Sequence, residues 1–168
     1  MEKYHLRRSE KAIEDPDELI EAISSQRIMT IAMSKENQPY LVTVNYAFDK
    51  QQNCFYFHCA LKGKKIEYLK ANPIVWGQIL EDKGYLEGEC DHGFRSIHFK
   101  GKVEFLTKDE EKRVGLQLLI DQQEENPAPR KERLTKTASL EKVGVAKVLI
   151  EGISGKRSPV SSITETAS

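Results

Sequence analysis

Apolar and polar residues alternate along several short runs of this chain, and that alternation limits the folds it can adopt. Between residues 40 and 48, tyrosine, valine and phenylalanine occupy the even positions, whereas Thr43 and Asn45 are among the odd ones. Alternate side chains of a β-strand point to opposite faces, so this run predicts a half-buried strand. Residues 54–60 and 94–106 alternate in the same way. We therefore expect an antiparallel sheet whose strands bury one face.

Further apolar runs add strands to this sheet. Residues 28–33, 74–80 and 143–150 have the length and composition of strands, and residues 153–157 are expected to form a turn. Short, turn-rich connections link the first three predicted strands, which favours successive antiparallel pairing. The chain contains no GxGxxG or Walker A loop. The fold class is therefore predicted to be mainly β: an antiparallel, Greek-key-like barrel with peripheral helices.

Two helices are predicted from their boundary residues. The first begins after Asp15, because an acidic N-cap followed by Pro16 favours helix initiation. The second follows Gly63 and ends at residues 72–73, where an asparagine precedes a proline. Each helix is expected to bury an apolar stripe: Leu19, Ile20 and Ile23 in the first helix, and Ile66 and Leu69 in the second.

The C-terminal third of the chain is more polar. A capping box at residues 107–110 predicts a third helix, with Val114, Leu118 and Leu119 as the candidate inward-facing residues. Residues 122–139 are polar and interrupted by proline, which predicts either a mobile loop or a loosely packed helix. Residues 1–157 are expected to form one domain, and the Ser/Thr-rich residues 158–168 a disordered tail.

The charge balance excludes several classes of partner. The chain has 26 basic and 26 acidic residues, so it lacks the basic field that attracts nucleic acid or an anionic membrane. No apolar run reaches the roughly 20 residues of a membrane span, and the first eight residues do not resemble a signal peptide. We therefore expect no nucleic-acid or membrane partner, and a cytoplasmic protein.

The three cysteines are candidate metal ligands. Cys54, Cys59 and Cys90 are odd in number and form no CxxC pair, which favours free thiols. Cys54, His58 and Cys59 lie close in sequence and could form a zinc site with Cys90 and His92. Strand alternation places Cys59 opposite Cys54 and His58, so we predict no metal site.

The junction between the strand at residues 54–60 and the second helix has the features of an anion site. Gly63 is followed by Lys64 and Lys65 at the start of the helix. Backbone N–H groups at a helix start and neighbouring ammonium groups both favour a phosphate. The alternative is a solvated, lysine-rich turn.

Several segments, taken in order, resemble the pyridoxamine 5′-phosphate oxidase-like flavoproteins, and most closely their nitroimidazole-resistance subfamily. The resemblance covers about residues 5–157 and depends on order and spacing more than on any single motif. Its segments are Arg7-Arg8 with Ile13, residues 38–46, 56–60, 63–65, 72–73, 94–97, 101–105, 111–112 and 153–156.

This resemblance implies a split-barrel homodimer that binds FMN, with FAD as the alternative, at two interface sites built from both chains. Gly63, Lys64 and Lys65 would hold the phosphate. The isoalloxazine ring would lie along Thr43, Val44 and Asn45, with His58 and Cys59 beside the ribityl chain and Ser96 approaching from the partner chain.

The implied activity is reduction of a small acceptor, such as a nitroaromatic compound, with NADH or NADPH as electron donor. His58 is the one candidate proton donor; the alternative is that it only forms a hydrogen bond to the cofactor or to a backbone carbonyl group. Gly63-Lys64-Lys65 replaces the Ser-Arg-Lys of true pyridoxamine phosphate oxidases, so vitamin B6 oxidation is not expected. The alternative function is a flavin or haem carrier, or a redox sensor, without turnover.

Overall fold

The computed structural model describes residues 8–134 and 140–158, and it contains seven strands and four α-helices in that part of the chain. A 3-10 turn at Ser9–Lys11 precedes them. The predicted tail from residue 159 onward and the end of the 122–139 segment lie outside the described residues. In chain order the elements are α1 (Pro16–Ser25), β1 (Ile28–Lys35), β2 (Gln38–Asn45), β3 (Ala47–Asp49), β4 (Cys54–Cys59), α2 (Lys64–Ala71), β5 (Ile74–Leu86), β6 (Asp91–Phe105), α3 (Asp109–Gln123), α4 (Ala128–Leu134) and β7 (Gly144–Ser158).

The strands form one antiparallel sheet in the order β2-β1-β5-β6-β7-β4-β3. Its two edge strands, β2 and β3, are consecutive in the chain and are separated only by Tyr46. The two edges therefore converge at this residue, although β2 and β3 do not pair. The sheet is thus curled but not closed by hydrogen bonds, which is a split barrel, and the predicted fold class is confirmed.

Tyr46 divides what the sequence predicts as one strand over residues 40–48. The residues before it pair with β1 and those after it pair with β4, at opposite edges of the sheet. The Tyr46 ring is fully buried, and its hydroxyl donates a hydrogen bond to the carbonyl of Ile23 near the end of α1. The predicted alternation holds on both sides of Tyr46, because the even-numbered residues from 40 to 48 all face the barrel interior.

Two hydrophobic clusters lie on opposite sides of β4. The first fills the barrel interior and includes Phe55, Phe57 and Cys59. The second lies between the sheet and α3 and includes Cys54 and Tyr56. The strand alternation predicted for β4 is confirmed, and all three cysteines of the chain are free.

Close packing in the barrel requires a glycine at position 77. The Phe99 ring is fully buried, and a Cβ atom at Gly77 would lie 2.0 Å from its Cζ atom. Only a residue without a side chain fits on β5 at this point, where it faces Phe99 across the β5–β6 pairing.

The first two helices begin close to the predicted residues, but the details of α3 differ. Asp15 caps α1, and its carboxylate accepts a hydrogen bond of 2.9 Å from the backbone N–H of Asp17. In contrast, α3 begins after Lys108 with no side-chain cap, so the predicted capping box is wrong. Val114 is 45% exposed, because Leu116 and its neighbours on the other side of the helix occupy the core.

The last strand is longer than the sequence predicts. β7 continues through residues 153–157, where we predicted a turn, because its ladder with β6 persists past a register shift at Lys100/Gly101. Ser158, predicted to begin the disordered tail, is buried at the end of β7 and donates a hydrogen bond of 3.1 Å to Asp91. Within the described ranges, no helix has the length and hydrophobicity to cross a membrane.

Candidate functional site

The start of α2 presents two cations beside aromatic rings. Gly63 precedes the helix with a φ of +130°, a conformation that favours glycine, and no side chain caps the helix N-terminus. The Lys64 ammonium lies 4.4 Å from the centre of the Tyr40 ring, and that of Lys65 lies 5.6 Å from the centre of the Phe57 ring. Neither lysine forms an ion pair with a carboxylate in the described part of the chain. Uncapped N–H groups and unneutralised ammonium groups suit a phosphate dianion.

The end of β4 places His58 and Cys59 on opposite faces. His58 is exposed, and partial desolvation lowers its pKa; the positive charges of Lys65 and Arg130 lower that pKa further. The Cys59 side chain is 7% exposed in the barrel core, and burial raises the pKa of its thiol. At neutral pH the His58 imidazole is therefore mainly neutral, and Cys59 is a thiol turned away from it.

The end of β2 carries the three residues predicted to lie along a flavin ring. Thr43 is exposed, with its Oγ1 atom 3.3 Å from that of Thr30 on the neighbouring strand. Val44 is buried in the core. The Asn45 side-chain amide donates a hydrogen bond of 2.9 Å to Gln123 at the end of α3. Thr43 and Asn45 thus offer polar groups on the outer side of the sheet.

A cleft of about 500 Å³ lies between the ends of β2 and β4 on one side and α3 and α4 on the other. It brings Asn45 and His58 together, although they lie on strands that are not adjacent in the sheet. Lys65 acts electrostatically on His58, so the start of α2 is close to the same site. The cleft is lined by Asn45, His58, Leu116, Leu119, Ile120, Gln123, Glu124, Arg130, Arg133, Leu134 and Val143.

Ser96 lies apart from this cleft within one chain. It is 6% exposed on β6, where it accepts a hydrogen bond of 3.1 Å from Gln78, and the His98 Nε2 atom lies 3.1 Å from its hydroxyl. The structure therefore groups Asn45 with His58, and Lys65 near them, but it does not bring Ser96 to them.

The outer face of β2, β1, β5 and β6 carries several exposed apolar side chains. Ile28 is 55% exposed, Leu41 63%, Trp76 42% and Leu80 49%. Strand register places Trp76 opposite Ala32, which in turn lies opposite Leu41, so these residues form a row across the face. Thr43 and Ser96 lie on the same face, which we call the outer sheet face.

Two glutamines that the sequence did not reveal as functional hold α3 against the split of the barrel, which is the place at Tyr46 where the edge strands β2 and β3 converge without pairing. Gln122 accepts a hydrogen bond of 3.0 Å from the Phe48 backbone N–H and donates one of 2.9 Å to the Gln26 carbonyl. Gln123 donates to the carbonyls of Arg27 and Tyr46, at 2.8 and 3.0 Å. No sequence signal marks them, because they belong to a polar segment. Their hydrogen bonds place one wall of the cleft.

Among the described residues, no group of three or more His, Cys, Asp or Glu side chains is placed to hold a metal ion.

Solved structures with the same fold were found by structural comparison. A proposed 5-nitroimidazole antibiotic resistance protein from Bacteroides thetaiotaomicron is 24% identical, with 86% of this chain and 85% of that chain covered and a TM-score of 0.71. An FAD-binding protein from Mesorhizobium loti is 23% identical, with 86% and 96% covered and a TM-score of 0.63. An FAD and haem binding protein from Mycobacterium smegmatis is 16% identical, with 89% and 74% covered and a TM-score of 0.74. At these identities the likeness establishes the fold.

A comparison with curated proteins gives no match. A family model described as pyridoxamine 5′-phosphate oxidase matches residues 15–157, which span every α-helix and almost all of the sheet described above. The chain therefore belongs to the pyridoxamine 5′-phosphate oxidase-like family, as its sequence motifs predict.

Proposed function

We propose that this protein is an FMN-binding oxidoreductase that reduces a small acceptor, such as a nitroaromatic compound, with NADH or NADPH. One observation carries the proposal: an uncapped helix start with two lysines directly follows the strand whose His58 shares a cleft with Asn45. A phosphate site and polar groups for a ring system are thus close together. The FAD-binding neighbour from M. loti and the nitroimidazole-resistance neighbour support this function.

The residues at hand fit a flavin phosphate. Gly63, Lys64 and Lys65 supply backbone N–H groups and two ammonium groups, and no described carboxylate neutralises either lysine. The same start of α2 would bind the phosphate of FMN or the first phosphate of FAD.

A flavin held here would supply two-electron transfer, taking hydride from NADH or NADPH and passing electrons to the acceptor. The protein's own groups bind and orient. Thr43 and Asn45 offer hydrogen bonds to ring heteroatoms, and Val44 and Cys59 contribute backbone groups, since their side chains are buried. Because the pKa of His58 is lowered, we favour a role in which the neutral imidazole forms a hydrogen bond to the cofactor over a role in which a protonated imidazole acts as an acid.

The outer sheet face supports a homodimer. Its exposed apolar row includes Leu41 and Trp76, and large apolar patches rimmed by polar groups are typical of interfaces. If a second copy covers this face, Ser96 of the partner subunit can reach a flavin bound near Thr43. That arrangement explains why one chain alone does not bring Ser96 to the cleft.

The test is an absorption spectrum of the purified protein before and after anaerobic NADH or NADPH, with the chromophore released by heat and identified. Flavin peaks that bleach are expected, and heat release distinguishes FMN from FAD. Protein that takes up no flavin, even after incubation with FMN, would contradict the proposal.

Lysine variants locate the phosphate. Lys64→Gln and Lys65→Gln are each expected to weaken FMN binding about tenfold, since each removes a charge-assisted contact. Lys70→Gln, in the last turn of the same helix, is the matched control. Riboflavin lacks the phosphate, so its affinity should be the same in all of these proteins.

A second candidate function is a flavin or haem carrier without turnover. The observation that favours it is a cleft that contains the His58 imidazole, a possible axial ligand for haem iron, together with two arginines that suit the haem propionates. The FAD and haem binding neighbour from M. smegmatis supports it. A Soret band, or a flavin that neither nucleotide bleaches, would favour the carrier.

A further inference from the structure

We propose that the cleft between α3, α4 and the ends of β2 and β4 binds an organic carboxylate with an apolar body. This binding does not depend on the proposed function.

The walls of the cleft suit an apolar ligand body. Five aliphatic side chains line it: Leu116, Leu119, Ile120, Leu134 and Val143. A volume of about 500 Å³ is in the range of pockets that enclose small organic molecules. Several of these side chains are part of the second hydrophobic cluster, so the surface they present is supported from behind.

Arg130 favours an anion in the cleft. The charged groups of the lining are Arg130, Arg133 and Glu124. Arg130 forms no hydrogen bond or ion pair with another described residue, and its positive charge is close enough to lower the pKa of His58. A guanidinium group matches the planar geometry of a carboxylate through paired N–H donors. We therefore place the carboxylate of the ligand at Arg130, near the neutral His58 ring.

The helix that carries these arginines is fixed to α3. Arg113 donates a hydrogen bond of 2.9 Å to the carbonyl of Leu134, the last residue of α4. Lys131 donates one of 2.7 Å to Asp121 on α3. Arg130 is therefore presented by an anchored element, whereas Lys131, next to it in sequence, is engaged elsewhere and does not line the cleft.

The site differs from the phosphate site of the proposed flavin. The lysines at the start of α2 do not line the cleft, and the arginines of α4 are not part of α2. Asn45 and His58 belong to both sites, because they line the cleft and would also contact the flavin. The proposal requires a flavin ring along β2 to leave the Arg130 side of the cleft open, and titrations with and without FMN test this requirement.

Isothermal titration calorimetry with 2-naphthoate tests the proposal, and 2-naphthamide, which is neutral and similar in shape, serves as the matched ligand. The titrations are run with and without saturating FMN. We expect 2-naphthoate to bind in both cases and to bind about tenfold more weakly to Arg130→Gln, because a charge-assisted hydrogen bond is lost. Lys50→Gln, in the exposed turn after β3 and outside the lining of the cleft, should bind it as the unaltered protein does. Binding of 2-naphthamide should be weak and equal in all three proteins.

The affinities for 2-naphthoate, 2-naphthamide and FMN distinguish the proposed anion site from the alternatives. Equal affinity for the acid and the amide, or an Arg130→Gln variant as tight as the unaltered protein, would overturn the proposal. FMN that displaces 2-naphthoate would also overturn it, because the cleft would then be the flavin site. If the protein binds 2-naphthoate as expected but takes up no FMN, the proposed function fails and the anion site stands. Arg130 is exposed, so its variant should fold; thermal melting checks this.

Discussion

The two faces of the same sheet differ in how they are covered. On the inner face, Phe55, Phe57 and Phe99 are 0% exposed. On the outer sheet face, Leu41 and Leu80, from strands of the same sheet, are 63% and 49% exposed. The inner face is buried by the curl of the sheet and by apolar side chains of α1 and α2, whereas no described residue covers much of the outer sheet face.

This difference separates the residues that determine the fold from those that complete the proposed site. The barrel interior needs only one chain. The outer sheet face carries Thr43 and Ser96 among exposed apolar residues, and the proposed dimer and flavin would complete its surroundings. Substitutions on the inner face should therefore change folding stability, and those on the outer face should change assembly.

The largest effect is expected for Phe99→Ala. Removing a fully buried ring that packs against Gly77 should lower the free energy of unfolding by about 3–5 kcal/mol, through lost burial and a residual cavity. Chemical denaturation measures this change. A loss below 1 kcal/mol would mean that the barrel interior repacks freely, contrary to the close fit at Gly77.

On the outer sheet face, Leu41→Lys should weaken dimerisation by about 1.5–3 kcal/mol, the value of burying a leucine side chain. Its effect on monomer stability should be small, because the side chain is already exposed. Sedimentation equilibrium gives the dissociation constant. Val114→Lys is the matched control, since Val114 is an exposed apolar residue on α3. Equal effects of the two substitutions would show that the outer face is not the interface.

An intermediate effect is expected where the two edges of the sheet meet. Gln123→Leu removes the donors to the Arg27 and Tyr46 carbonyls and should cost about 1–3 kcal/mol of folding stability. Gln51→Leu, in the exposed turn after β3, is the control and should have little effect. If the two variants unfold at the same denaturant concentration, the hydrogen bonds from Gln123 do not contribute to the stability of the fold.

The smallest effect concerns His58. NMR titration should give a pKa below its usual value of 6.5, and Lys65→Gln should raise that pKa only part of the way, since desolvation is the larger cause. The unfolded chain then binds the proton more readily than the folded one, so stability decreases as the pH falls below about 6.5. His58→Gln should remove this part of the pH dependence. A pKa at or above 6.5 would contradict the described surroundings of the ring.

Local patterns predict the fold well where one face of an element is buried. The alternation in β2 and β4 identifies the inward residues correctly, and Asp15 identifies the start of α1. In β7 the sequence predicts a turn at residues 153–157, yet the strand continues there because β6 pairs with it. Such pairing depends on distant residues and leaves no local signal.

The site is less accessible from sequence, because it is built from separated elements. The resemblance to a family names Asn45 and His58, but their shared cleft depends on α3 and α4, in a region that the sequence predicts only as a loop or loose helix. Gln123 and Arg130 were missed for this reason. Polar residues in such a segment acquire a role only once tertiary contacts place them.

The central claim is that a second copy covers the outer sheet face and that flavin binds where the two chains meet. Sedimentation velocity of the FMN-loaded protein, recorded at the visible absorbance of the flavin, tests it most directly. We predict that the flavin absorbance sediments at the rate of a dimer. In the Leu41→Lys variant, the dimer should dissociate into monomers, and the flavin should dissociate from the protein at the same time. Flavin that stays bound to a monomer, or that sediments free of a stable dimer, would contradict the claim.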